Sequence, residues 1–462
     1  MTRSLLAAGL VAATLVVVPG LPHAFGAPKD AVVCATVGAS LILAALGPAT
    51  ILPRSLAAPL VAFLAADVAG SAATGSWSDA LVMDCVYVLL FVVAYGALSS
   101  TAARARILRV LVAIAAMEAG LAALQLALGP LALNLLGRAP RRAYAFGTLG
   151  VANWIGALSA MALAPLLLRP SRRLDAGLAV FPVVGLAVAG SRGAWLAAIG
   201  TVLFVRMGSG EWRMIRPLFV GALLGAALVA ATGGTVWHGA GSVSGRLLIW
   251  RATADIVAAH PLLGVAPGGF AGAYPAALHA IMARPGTDVG LRPTAFATHP
   301  HDLVLALVAE RGVLGLLAVT WFVTALMRFA WRRVQADWTR MAAAGVLVAF
   351  ALYGLVDVPL VSTPLAMAAW LSAAMLAAPD EAVELATASR PVRLCLALVG
   401  LGVVALGLAI ADGDRRLGLA WVAAARGDVA PIAGTARVGP ARDEADWVRG
   451  LTALGAGDLD MA

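Results

Sequence analysis

The chain has 462 residues, of which 61% are hydrophobic and only 12% charged, with a mean hydropathy of +0.92. A water-soluble protein of this length cannot hide that much apolar surface, so the chain is expected to reside in a membrane. Its formal charge of +9, from 33 Lys and Arg against 24 Asp and Glu, sits in short loops and lacks basic aromatic patches. That argues against nucleic acid as a partner and for orientation in the bilayer with contact to anionic lipid.

The apolar residues come in blocks of about twenty, the length of a bilayer-crossing helix. The first, 4–19, follows Arg3 and resembles a signal peptide, but the many spans behind it favour a first transmembrane helix. Apolar cores follow near 31–46, 58–70, 80–98 and 107–127. The loop at 129–147 carries Arg138, Arg141 and Arg142. Next come cores at 150–168, 176–189 and 194–207, the last two separated only by residues 190–193.

That separation holds Ser191-Arg192-Gly193. An unpaired guanidinium close to lipid costs several kcal/mol, so an ionisable residue at this depth is a functional candidate. Arg presents a fixed fork of donors that matches phosphate oxygens in pairs. The competing reading is an Arg that snorkels to the headgroups.

A ninth core at 217–232 precedes the longest segment without a span, 235–300. Loops of that size are usually functional. Residues 245–259 have helical apolar spacing, and His260-Pro261 ends the helix. On it, Arg246 and Trp250 are i,i+4 neighbours on one face. Trp suits a lipid–water boundary or a platform for a sugar ring. The competing reading is an amphipathic helix lying on the membrane. Gly264, Gly268 and Gly269 predict a flexible turn, and 284–298, with two prolines and two glycines, predicts irregular chain.

His299-Pro300-His301-Asp302 stands where the chain re-enters the membrane. Histidine can accept and return a proton near neutral pH, one ring nitrogen working while the other is held by a hydrogen bond. Asp302 is a candidate for that bond, although adjacent helical residues face each other poorly; its other reading is an acidic helix start. A His-x-His pair also suits a metal, but no third or fourth ligand stands nearby in the sequence, so none is expected. Glu310-Arg311 within the span at 302–327 reads as structural, with Arg311 kept as a supporting residue. His23, His238, His260 and His279 lack suitable neighbours.

Cores at 341–357, 361–378 and 394–411 complete about twelve to thirteen spans. The expected organisation is N-terminal transmembrane helices (1–234), an extracytoplasmic loop (235–300), C-terminal transmembrane helices (301–411) and a polar, Ala-rich tail (412–462). With the N-terminus in the cytoplasm, seventeen Arg residues fall on the cytoplasmic side, among them Arg104, Arg106, Arg109, Arg333 and Arg340. The opposite short loops hold five basic residues: Lys29, Arg138, Arg141, Arg142 and Arg192. That asymmetry supports the orientation. Cys34, Cys85 and Cys395 lie in apolar blocks without metal or redox spacing and read as small core residues. The chain has no Walker, G-x-S-x-G or H-E-x-x-H motif.

Three stretches, SRGAWLA, GRLLIWRATADIVAAHPLLGVAPGGF and HPHDLVLALVAERGVLGLL, fall in that order between about residues 191 and 319. Together they resemble the signature regions of the O-antigen ligase/polymerase family of membrane glycosyltransferases. The resemblance implies an all-α polytopic membrane protein with a GT-C-like fold and one large, partly helical extracytoplasmic loop. It implies glycan transfer from an undecaprenyl-diphosphate-linked donor to a lipid, glycan or protein acceptor, with no metal, nucleotide or other cofactor, at the periplasmic face of a bacterial inner membrane. By matching position, Arg192 and Arg246 would engage the lipid diphosphate and His301 would be the essential histidine. The family usually has Asn after that histidine, and here Asp302 stands instead. Ser191, Trp250 and His299 are expected to support the site. A flippase or transporter of lipid-linked saccharide would instead spread its charges through several spans, and a non-catalytic subunit of an export complex would use the long loop as a docking module.

Overall fold

The computed structural model describes residues 1–19, 21–46, 52–128, 145–168, 173–209, 241–284, 297–331, 333–379 and 389–424. The predicted ninth span, most of the basic loop at 129–147, residues 285–296 and the tail beyond 424 lie outside them. The protein is an all-helical polytopic membrane protein. Its described helices are α1 (Thr2–Leu15), α2 (Ala27–Leu46), α3 (Arg54–Thr74), α4 (Asp79–Ala97), α5 (Thr101–Leu128), α6 (Ala152–Leu168), α7 (Arg173–Ala189), α8 (Arg192–Ser209), α9 (Gly241–Ala259), α10 (Phe270–Met282), α11 (Leu303–Ala330), α12 (Trp338–Gly354), α13 (Thr363–Ala377) and α14 (Arg390–Ala424).

Six of these, α2 to α5, α11 and α14, are long and apolar enough to cross a bilayer by themselves. Shorter apolar helices include α1, α6, α12 and α13. Of these, α13 sits inside: every residue of it except Trp370 is buried. Phe91 of α4, Phe322 of α11 and Trp370 of α13 meet edge-on or tilted at 5.3–6.1 Å and anchor the bundle centre.

At the periphery α14 lies along α2. A methyl group on Gly38 would come within 2.5 Å of the Gly400 carbonyl oxygen, so small residues let the two backbones nearly touch. The outer side of α14 presents Leu394, Leu398, Leu401 and Leu408. This helix continues through residue 411, where a tail was expected to begin, to Ala424. Cys34 is buried, but Cys85 is only half-buried and Cys395 is exposed, so the reading of all three as core residues is corrected.

Two polar faces bound the bundle. On one, Arg3 donates to the Ala97 carbonyl (2.9 Å), Arg104 pairs with Asp337 (2.7 Å), and Arg340 donates to the carbonyls of Met375, Leu376 and Ala378 at the end of α13. These are residues expected together on the cytoplasmic side. The other face lies across α12, which at 17 residues is about 25 Å long. There Lys29, expected in a short loop, is buried, its ammonium donating to the Thr14 and Val16 carbonyls. A second, smaller core joins α9 and α10 through Leu248, Ile256, Phe270 and Tyr274.

Between α9 and α10, residues 260–269 enter a break in α11. Gly312 (φ 63°, ψ −167°) interrupts that helix. The Val313 and Leu314 amides donate to the Pro261 and Leu262 carbonyls (2.9 and 3.2 Å), and the Val265 amide donates to the Ala309 carbonyl (2.9 Å). The turn predicted at Gly264 and Gly268 is present, both at positive φ, with Ala266 also left-handed.

Candidate active site

Four chain segments meet at the face across α12 from Asp337. The first is the start of α8. Ser191 is buried, and its hydroxyl accepts from the Ala194 amide (3.3 Å), which caps the helix. Arg192, one residue on, is exposed. Gly193 lies against the turn after α12, since a methyl group there would stand 2.1 Å from Val356 Cγ2. The second segment is α9, whose Arg246 and Trp250 are both half-buried. The Trp250 indole donates to the Pro300 carbonyl (2.9 Å) and ties α9 to the histidine turn.

The third segment is the turn at 299–302. His301 has φ 54°, a left-handed conformation that costs a non-glycine residue on the order of 1–3 kcal/mol. Asp302 does not hold His301. Its carboxylate accepts from the Leu305 amide (2.8 Å) and caps α11, so the role proposed for it as the histidine's partner is corrected.

That partner comes from the fourth segment, the turn after α12. Asp357 Oδ1 lies 3.2 Å from His301 Nδ1 and 3.5 Å from His299 Nε2. The same carboxylate accepts from the Tyr353 hydroxyl (2.8 Å) and the Val358 amide (2.9 Å). Burial pushes the Asp357 carboxyl up, but the hydrogen bonds from His299, His301 and Tyr353 outweigh it and hold the group far below the usual carboxylate range. Asp357 is therefore a fixed anion. Sequence reasoning passed over it. It is an ionisable residue at the end of an apolar block, the same signal that singled out Arg192, but it stands 56 residues beyond its histidine.

His299 and His301 have ring centroids 4.4 Å apart, and His299 Nδ1 lies 3.0 Å from the Thr298 hydroxyl. Asp357 adds the third ligand that was absent from the local sequence: the three donor atoms lie within 4.8 Å of one another.

Arg311 is separate from this group. Its guanidinium is buried and pairs with Asp67 (2.9 Å), Glu310 (3.1 Å) and Asp84, while lying 5.5 Å from the Phe63 ring centre. It binds α3, α4 and α11 together beside the break at Gly312, as the structural reading of Glu310-Arg311 expected.

Residues 177–320 match a protein-family model described as O-antigen ligase. The matched stretch contains Arg192, Arg246, Trp250 and the turn at 299–302, and the resemblance read from the three motifs stands. Asp357 lies beyond it. No curated protein matches the chain.

Proposed function

We propose that the protein transfers glycan from an undecaprenyl-diphosphate-linked donor to an acceptor hydroxyl at the periplasmic face of a bacterial inner membrane, without a metal or nucleotide. The O-antigen ligase match supports glycan transfer of the ligase/polymerase type in general. The observation that carries the finer reading is the bond between His301 Nδ1 and the anionic Asp357, at the face that also receives the start of α8 and, through the Trp250–Pro300 bond, the helix that carries Arg246.

The chemistry follows from these groups. With its hydrogen on Nδ1, held by Asp357, neutral His301 keeps the Nε2 lone pair for a proton. As the acceptor oxygen attacks the anomeric carbon, its proton passes to Nε2. The bond from that carbon to the diphosphate breaks, and the electron pair leaves with the lipid diphosphate. Arg192 and Arg246 stabilise the charge gathering on the phosphate oxygens. Asp357 stabilises the imidazolium until it releases its proton to water. Attack opposite the leaving group inverts the anomeric centre. Trp250 offers a ring face to a sugar.

That the segments carrying Arg192, Arg246, His301 and Asp357 meet at one face favours an enzyme over a transporter, whose substrate-binding charges would be spread along the spans. His301→Ala is expected to lower transfer by about 10²–10⁴-fold, and Arg192→Ala by about 10²–10³-fold, with normal membrane insertion of both. In a deletion strain, unmodified lipid anchor identifies a ligase and single-unit glycan a polymerase. Full transfer by His301→Ala would refute the general-base role.

A further inference from the structure

We propose that His299, His301 and Asp357 form a binding site for a borderline transition-metal dication of the zinc class, and that occupation of the site switches transfer off. Binding follows from the geometry alone; only the inhibition rests on the function proposed above. A tetrahedral zinc ion with ligands at about 2.0–2.2 Å sets those ligands roughly 3.3 Å apart. Asp357 Oδ1 already lies 3.2 Å from His301 Nδ1 and 3.5 Å from His299 Nε2. Two edges of the ligand triangle therefore have the required length, and the third closes by a small ring movement, since all three donors lie within 4.8 Å. Both rings are partly open, at 21% and 34% side-chain exposure, which leaves the fourth position to water. Two imidazoles and one carboxylate favour zinc, copper or nickel over magnesium or calcium, which prefer all-oxygen shells.

The surrounding contacts are those a metal site needs. His299 coordinates through Nε2 while its Nδ1–H is held by the Thr298 hydroxyl at 3.0 Å, which fixes tautomer and ring orientation. The Asp357 carboxylate is steadied by the Tyr353 hydroxyl and the Val358 amide. His301 coordinates through Nδ1, and that is the reason for inhibition. A neutral imidazole bound through Nδ1 carries its hydrogen on Nε2, the nitrogen that must accept the acceptor proton. The ion also takes the Asp357 charge that would stabilise the imidazolium. Metal and general base thus exclude each other at one ring.

The test uses the full-length protein in detergent, purified without a histidine tag. Zn²⁺ alone is titrated in competition with a chromophoric chelator, and Co²⁺ is used as a spectroscopic substitute. Wild type is expected to bind one Zn²⁺ with visible cobalt bands of a four-coordinate ion, while Mg²⁺ does not compete. His299→Gln and Asp357→Asn are each expected to weaken binding at least tenfold, with His260→Gln as an unaffected control. His299→Gln alters a partly exposed ring, and its melting profile is compared with wild type to exclude unfolding. Zn²⁺ affinity unchanged in a folded His299→Gln protein, or no stoichiometric binding by wild type, overturns the site. Binding without inhibition of an active preparation overturns the switch. Stoichiometric binding by a preparation with no transfer in the absence of zinc leaves the site standing and counts against the function instead.

Discussion

Gly312→Ala is the substitution whose effect the structure defines most closely. Gly312 has φ 63° and ψ −167°, a region that essentially only glycine occupies. An added methyl group would stand 2.2 Å from both the carbonyl carbon and oxygen of Leu262 and 2.5 Å from the Leu263 amide nitrogen, all of them backbone atoms that no rotamer change can move. Relief requires residues 261–263 to leave the break in α11, which gives up the bonds from Val313 to Pro261 and from Leu314 to Leu262. Backbone strain and two unsatisfied buried groups each cost about 1–3 kcal/mol, so the total falls at about 3–9 kcal/mol. Because residues 260–269 follow α9 directly, displacement also moves Arg246 and Trp250. The assay is apparent melting temperature and glycan transfer of the detergent-solubilised protein, with Gly272→Ala as the control. Gly272 has open space around it, and there alanine is expected to be neutral or to stabilise α10 by about 0.5–1 kcal/mol. An unchanged melting temperature and full transfer for Gly312→Ala would refute the argument.

Arg311→Met strips the cation from Asp67, Asp84 and Glu310 and is expected to cost about 3–5 kcal/mol, read as reduced yield and lower melting temperature; Arg311→Lys keeps the charge but not the fork and should fall between. Arg340→Met removes three charge-assisted bonds to the end of α13 and should lower thermal stability by about 3 kcal/mol or more, while kcat per folded molecule stays near wild type, since the residue lies on the face remote from His301. Asp357→Asn is expected to lower transfer sharply and to change stability with a defined pH dependence. A carboxyl held below its ordinary value stabilises the fold fully above about pH 4 and loses that contribution as pH falls further. The wild-type advantage over Asp357→Asn should therefore persist down to about pH 4 and shrink only below it, as followed by thermal melts at stepped pH.

Much of the fold was legible because membrane helices announce themselves by length and composition. Twelve of the expected cores correspond to described helices, and the residues that the charge bias assigned to the cytoplasmic side do meet on one face, through Arg3, Arg104, Arg333 and Arg340. What composition could not convey is which short spans are central. Both α13 and α14 are apolar, yet α13 is enclosed and α14 faces outward along much of its length. Lipid and protein interior are equally apolar, so the difference lies in packing partners.

The candidate site was half legible for a related reason. Arg192, Arg246, Trp250 and His301 stand in local patterns whose chemistry can be read within a few residues. The partner of His301 cannot be found that way, because a hydrogen bond across a bundle has no sequence spacing. Asp302 was adjacent and acidic, so it drew the assignment, but a residue directly before a helix turns its side chain to the free amides of the first turn. Its bond to Leu305 uses the carboxylate and leaves His301 to be held from elsewhere. His301, at positive φ just before α11, meets the turn after α12, where Asp357 stands. The strain at His301 and the cap at Asp302 are thus two parts of one arrangement: the acid next in sequence secures the helix, and the acid distant in sequence orients the ring.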